Sequence, residues 1–129
     1  MILPTLNFPA LNIKSYNFFG IPEVLNQNFF VDTNNLKPFN FLLSSKKKIN
    51  CHFFLHDYQF ERIWLNPPRY AQILKKCDFV CSADFSLYTD MPYVLQIFNT
   101  YRARALQRYW QDLGINVLTT VSWSDKKKF

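Results

Sequence analysis

The sequence is short of glycine and has no long hydrophobic run. Only two glycines occur among 129 residues, which excludes collagen-like and glycine-rich fibrous proteins. No apolar run approaches the ~18 to 20 residues that cross a bilayer. The first twenty residues are broken by proline and polar side chains, and they lack the basic start and apolar centre of a signal peptide. We therefore expect a cytoplasmic protein with no membrane partner.

Cysteine is also scarce, and its spacing limits what it can do. The three cysteines form an odd set without a secretion signal, so we expect reduced thiols. In one predicted strand, Cys77 and Cys81 would have Cα atoms ~13 Å apart, too far for a disulfide or for one zinc ion. Small buried thiols are the favoured interpretation. A mixed zinc site that combines Cys81 with Cys51 and with His52 or His56 stays open as an alternative.

Aromatic and aliphatic side chains are plentiful. Hydrophobic residues make up 49% of the chain and aromatic residues 19%, which predicts a globular protein with a large core. The length predicts one domain over residues 1–129. Residues 1–45 show no sustained periodicity, so they are expected to be an irregular segment that packs on a regular core at 46–125.

Regular structure is predicted from residue 49 onward. Apolar runs predict strands at 49–55, 77–83 and 115–123. A short helix capped by Asp57 and a second one at 66–76, started by Asn66 and Pro67, separate the first two strands.

A long helix separates the last two strands. Asp90 is predicted as its N-cap and Pro92 as its first-turn proline, and Gly114 supplies a left-handed stop. Each connection contains a helix, so the strands should pair in parallel with right-handed crossovers. The predicted fold class is α/β, with a three-stranded parallel βαβαβ core.

Several motifs in this core resemble a known family. The segments "DYQFERIW", "DFSLYTDMP", "QIFNTYRARAL", "YW" and "TVSWSD" occur in this order within residues 37–125. They resemble an uncharacterised domain family of phages, prophages and plasmids, which has no established activity. The resemblance implies a sheet similar to part of a β/α-barrel, because family members continue past "VSWSD" with further strand and helix units. His56 stands where members often have an acidic residue.

Polar side chains follow the predicted strands. In parallel sheets ligands bind beyond the carboxyl ends of the strands, where Asp57, Asp84 and Asp90 are expected to meet. Such carboxylates could hold a divalent cation for hydrolysis of nucleic acid or nucleotide. Helix capping and turn formation are the alternative roles of these aspartates. The remaining candidates for binding at this rim are Tyr58, Ser86, Tyr88, Ser122, Trp123 and Asp125.

Basic residues form two kinds of cluster. Arg104 and Arg108 share a face of the long helix and are candidates for phosphate binding, whereas Arg102 is predicted to form a buried ion pair with an aspartate. Lys46, Lys47 and Lys48, together with the lysine run at 126–128, account for the whole formal net charge of +6. Parallel strands would place the two runs at opposite ends of the sheet.

These observations favour a binding protein over an enzyme. We expect a small accessory protein of a phage or mobile element that binds a host protein or protein–nucleic acid complex in the bacterial cytoplasm. Inhibition of a nucleic-acid-guided defence nuclease, as an anti-CRISPR protein does, is one specific form, implied by the resemblance alone. Self-association through an exposed sheet edge is also expected. The alternatives are the metal-dependent enzyme with its aspartate rim and a direct nucleic-acid binder.

Overall fold

A parallel sheet lies at the centre of the protein, whose computed structural model describes residues 11–14 and 16–120. The strands are β1 (Leu36–Pro38), β2 (Asn50–His52), β3 (Val80–Cys81) and β4 (Val117–Leu118). They lie in the order β1-β2-β3-β4, and every neighbouring pair is parallel. The predicted α/β class with parallel strands is therefore confirmed.

The sheet has one strand more than the sequence predicted. Strand β1 lies inside the segment that was expected to be irregular, and Leu36 pairs with Asn50 while Pro38 pairs with His52. A run of three residues that contains a lysine and a proline carries no period-two signal, so the pattern could not identify it. The three predicted strands are present but shorter than expected, because only two or three residues of each apolar run join the ladder.

Helices connect or flank these strands. They are α1 (Phe39–Leu42), α2 (Arg62–Leu65), α3 (Pro67–Leu74) and α4 (Tyr93–Asp112), with short 3₁₀ turns at Thr33–Asn35 and Asp57–Gln59. The predicted start of α3 is confirmed: the Asn66 side chain accepts a hydrogen bond from the Arg69 amide, and Pro67 is the first helical residue. The predicted stop of α4 is also confirmed, because Gly114 has a φ of +86°.

Two predicted helix caps are wrong. Helix α4 begins at Tyr93 with Pro92 as its N-cap, and Asp90 lies exposed two residues further upstream. The Gln96 side chain instead ties this end down by donating to the Met91 carbonyl at 2.9 Å. His56 is the cap of the 3₁₀ turn, and Asp57 is the first residue of that turn. The Asp57 carboxylate accepts hydrogen bonds from Ser86 instead of capping the turn.

The core is built largely from aromatic rings. Phe53, directly after β2, lies within 5.1 to 5.7 Å of the ring centroids of Phe39, Phe60 and Trp110. All four side chains are at most 1% exposed, so each ring removes a large apolar area from water. This cluster holds α1 and α4 against β2.

Within the described residues, no helix combines the length and the apolar character that crossing a membrane requires.

The N-terminal segment closes the outer edge of the sheet. The Gln27 side chain accepts a hydrogen bond from the Val117 amide of β4 and donates one to the Ile115 carbonyl. Gln111 on α4 fixes this arrangement, because its side chain bonds both to Gln27 and to the backbone of Leu25. A side-chain amide thus takes the place of a neighbouring strand along β4.

Asn50 fixes the start of β3, and its loss should be costly. Its side-chain oxygen accepts hydrogen bonds from the amides of Asp78 and Phe79, at 2.9 and 3.1 Å, in a site where Asn50 is 4% exposed. Asn50→Ala would leave these donors unsatisfied and should lower the free energy of unfolding by about 2 to 4 kcal/mol. Asn116→Ala is the control, since its exposed bond to the Asp78 carbonyl should be worth less than about 1 kcal/mol. Equal losses in chemical denaturation would contradict this prediction.

Candidate functional site

A chain of hydrogen bonds joins the segments that follow β2 and β3. The Asp57 carboxylate accepts from the Ser86 amide, at 3.1 and 3.2 Å, and from the Ser86 hydroxyl at 3.0 Å. The Ser86 carbonyl in turn accepts from the Asn99 side chain of α4 at 2.8 Å. Two of the predicted rim residues, Asp57 and Ser86, are therefore in direct contact. Together they lock the two segments and the long helix into one arrangement.

Arg102 completes this chain and is its most deeply buried charge. Its guanidinium donates to Asn99 Oδ1 at 2.7 Å and to Glu61, with which it forms an ion pair. The side chain is 9% exposed, and its guanidinium carbon lies 3.9 Å from the ring centroid of Phe85, as a cation–π contact requires. The predicted buried ion pair is present, but the expected aspartate partner is wrong: Glu61 reaches the site from the turn before α2.

The aspartates predicted to bind a metal do not act as a unit. The Asp57 oxygens accept hydrogen bonds from Ser86, Asp84 is partly buried beside a cavity, and Asp90 is exposed on the loop. Within residues 11–14 and 16–120, no group of three histidine, cysteine or acidic side chains is arranged to hold a metal ion. Asp125, like Ser122, Trp123 and the lysines at 126–128, lies outside the described residues. The divalent-cation site therefore stays a prediction.

Exposed aromatic side chains lie on the same two segments as Asp57 and Ser86. Phe54, Tyr58 and Tyr88 are 58%, 79% and 59% exposed, and all three lie in the segments that Asp57 and Ser86 join. The exposed imidazole of His56 stacks parallel to the Tyr58 ring, with centroids 6.0 Å apart. We call these residues, Phe54, His56, Tyr58 and Tyr88, the aromatic rim.

A cavity of about 300 Å³ lies beside the rim, beyond the carboxyl ends of β3 and β4. Asp84 and Arg104 contribute opposite charges to its lining. The Gln107 side chain also lines the cavity and donates a hydrogen bond to the Thr119 hydroxyl at 2.7 Å. Arg108 is not part of it. The Arg108 guanidinium pairs with Asp112 and donates to the Glu23 carbonyl. Of the two arginines predicted to bind phosphate, Arg104 therefore lines the cavity and Arg108 does not.

The three cysteines behave differently from one another. Cys51 and Cys81 are buried as predicted, whereas Cys77 is partly exposed, because it lies in the turn before β3 rather than in the strand. A hydrogen bond between the thiols of Cys51 and Cys77 lowers the pKa of Cys77. The same hydrogen bond, together with burial, raises the pKa of Cys51. The predicted mixed zinc site has no ligand cluster among the described residues. Burial also lowers the pKa of His52.

Sequence reasoning did not identify three residues that surround Arg102 as members of the site. Glu61 and Asn99 were not singled out as site residues, although both lie in segments that carry the family resemblance, and Phe85 was overlooked as the ring beneath the guanidinium. A signal existed, since Asn99 and Arg102 lie three residues apart on one face of a helix. Their partners, however, come from distant parts of the chain, which no periodicity reports.

Removal of the Arg102 guanidinium should destabilise the fold strongly. Arg102→Met leaves Asn99 and the partly exposed Glu61 without their donor, and we expect the free energy of unfolding to fall by about 2 to 3 kcal/mol. The control is Arg108→Met, which breaks the partly exposed pair with Asp112 and should cost less than about 1 kcal/mol. Denaturation midpoints of the two variants measure the difference. Comparable losses would show that the buried pair has no special role.

Cys77 should be the first thiol to react. Its lowered pKa means that thiolate forms at a lower pH than in an ordinary cysteine, so iodoacetamide alkylation should accelerate at correspondingly lower pH. Cys51→Ala removes the hydrogen bond that lowers this pKa and should move the midpoint of the rate profile upward. Peptide mass mapping identifies the site. Faster labelling of Cys81 than of Cys77, or an unmoved midpoint in Cys51→Ala, would refute the assignment.

Comparison with known proteins adds a family to this geometry. The chain matches the family described as Domain of unknown function (DUF4417) over residues 13–129. It is similar to the Gene 1 protein of Mycobacterium phage L5, with 42% identity over 78 residues that cover 60% of this chain and 34% of that protein. The Gene 1 protein of Mycobacterium phage D29 is 41% identical over 78 residues, which cover 60% of this chain and 29% of that protein.

The chain thus spans about a third of the length of these curated relatives. No solved structure matches it. Because the family match covers nearly the whole sequence and both relatives are phage proteins, the resemblance found in the motifs is confirmed. The chain belongs to the phage-associated DUF4417 family.

Proposed function

We propose that this phage-associated protein acts by binding a host protein, and that the aromatic rim is the binding surface. The observation that carries the proposal is the exposure of Tyr58 and Tyr88, at 79% and 59%, on two segments that the Asp57–Ser86 contact holds together. Large apolar groups left in water at one end of a sheet are typical of an interaction site.

The side chains of the rim suit protein recognition. Tyrosine is enriched at the centres of protein interfaces, because its ring buries a large area at low entropic cost while its hydroxyl can bind a polar group. Phe54 adds a purely apolar contact at 58% exposure. The exposed His56, stacked on Tyr58, adds a group that can donate or accept a hydrogen bond.

The buried polar chain explains why the rim would bind well. Asp57 precedes Tyr58 directly, and Ser86 is two residues from Tyr88, so the contact between the carboxylate and the serine fixes the backbone on which both rings stand. Asn99 and Arg102 anchor this contact to α4. A surface held in its binding conformation loses less entropy on association, which increases affinity.

A narrower form of the proposal concerns bacterial defence. The host partner would be a nucleic-acid-guided nuclease, which the protein would inhibit. The support for this form is the phage setting of the family and of its relatives, not a residue of the rim. It is tested by the plating efficiency of a targeted phage in cells that carry the nuclease, with and without the protein.

The rim is tested by capturing partners from a nuclease-treated lysate of the phage's bacterial host. The tagged wild-type chain should retain a specific host protein. Tyr58→Ala with Tyr88→Ala should weaken the affinity for that protein by at least about 30-fold, since buried interface tyrosines contribute ~2 kcal/mol or more. The control is Phe18→Ala with Phe30→Ala, which removes two rings that are 96% and 86% exposed outside the rim.

The two double variants separate the rim from general stickiness. If the partner is a specific ligand of the rim, only the tyrosine variant loses it. Equal retention by the tyrosine variant would refute the proposal. So would a protein that is captured from an untreated lysate but not from the nuclease-treated lysate. Circular dichroism of each variant confirms that the fold is intact.

A further inference from the structure

Five lysines lie close together where the chain enters the middle of the sheet. Lys46, Lys47, Lys48 and Lys76 line a depression of about 730 Å³, on the side of the sheet where β2 and β3 begin. A second depression of about 550 Å³ is lined by Lys37 and, again, by Lys47. Ser45 and Ile49 also belong to both, so the two depressions adjoin one another. We call this surface the lysine groove.

The positive charge of the groove is almost uncompensated. Lys48 pairs with Asp78 at 2.6 Å, in a pair whose side chains are more than 60% exposed. No carboxylate lies within ion-pair distance of the other four lysines in the part of the chain that the structure describes. Like charges held this close repel one another, and a polyanion relieves that repulsion. Proteins that bind nucleic acid gain most of their affinity from such contacts with phosphate.

The loop that carries the lysines is ordered by its own hydrogen bonds. The Ser45 hydroxyl donates to the Lys47 carbonyl at 2.8 Å and accepts from the Lys47 amide at 3.2 Å. The loop then enters β2 through Ile49 and Asn50, both of which are buried. The ammonium groups therefore extend from a fixed backbone, and little backbone order has to be gained when a ligand binds.

An exposed ring at the groove favours single strands. Phe41, on α1, is 58% exposed and lines the second depression together with Lys37 and Lys47. A ring beside cations can stack on a base only when the base is not already stacked within a duplex. Phosphate contacts from lysine combined with one stacking ring match the composition of sites that bind single strands without sequence preference.

We propose that the lysine groove binds single-stranded nucleic acid through its phosphates, with one base stacked on Phe41. Four of its lysines, Lys46 to Lys48 and Lys76, precede β2 or β3, whereas the aromatic rim follows these strands, so this part of the groove lies at the opposite end of the sheet from the rim. The inference goes beyond the proposed function and does not depend on it. A protein partner and a nucleic acid could be held at the same time.

Binding of a fluorescent oligothymidylate, measured by anisotropy as a function of salt, tests the groove. If four lysines contact phosphate, the logarithm of the association constant should fall with a slope of about −2.8 against the logarithm of salt concentration, or ~50-fold between 50 and 200 mM. In Lys46→Gln with Lys47→Gln the slope should drop to about −1.4, or ~7-fold over the same range. All four lysines of the first depression are exposed, so the fold should tolerate these changes.

A matched control uses two arginines that do not line the groove. Arg104→Gln with Arg108→Gln removes the same charge from α4 and should leave the salt slope unchanged. Phe41→Ala should weaken binding of the single strand by on the order of tenfold and leave duplex binding unchanged. The proposal is overturned if the oligonucleotide does not bind at 50 mM salt, or if the arginine variant loses as much affinity as the lysine variant. Duplex bound as tightly as single strand, with no effect of Phe41→Ala, would overturn the assignment to single strands.

Discussion

The structure depends on one positive charge that is kept out of water. The Arg102 guanidinium cannot be neutralised by losing its proton, so its burial has to be compensated by a counter-charge and by hydrogen-bond acceptors. Glu61 and Asn99 accept from its two terminal nitrogens, the face of Phe85 covers the flat side of the group, and only its Nε is buried without a partner among the described residues. The segment after β2, the segment after β3 and α4 must all be in place before the charge is satisfied. The requirement of one side chain thereby specifies how three parts of the chain meet.

Much of the fold could be predicted because its signals are local. Asn66 with Pro67, and Gly114 after the long helix, act through their own backbone, so their identity predicts where helices begin and end. Strand β1 and the start of α4 escaped prediction for the opposite reason. Three residues become a strand only because Asn50 to His52 lie beside them. The helix does not start directly after Asp90 because Met91 precedes a proline, and a residue before proline disfavours the helical conformation.

The site was predictable in its location but not in its chemistry. Asp57 and Ser86 were expected at one rim because the carboxyl ends of parallel strands share an edge. The contact between them was not expected. The Asp57 carboxylate accepts hydrogen bonds from the Ser86 amide and hydroxyl, and the binding of a divalent cation at this rim stays a prediction. Cys77 likewise was expected to be a buried thiol within a strand, but it lies partly exposed in the turn before β3. Such outcomes depend on contacts between residues about thirty positions apart, which a pattern along the chain does not encode.

Gln27 has a consequence for the route by which the chain folds. Its bonds to β4 and to Gln111 join residues 84 to 90 positions apart, so they close some of the longest loops in the molecule. Long loops cost more entropy to close and form late, after helices and neighbouring strands have assembled. Until the N-terminal segment arrives, the Val117 amide and the Ile115 carbonyl remain open to a strand from another chain. A newly made molecule is therefore most exposed to misassembly after β4 has formed and before Gln27 has bonded to it.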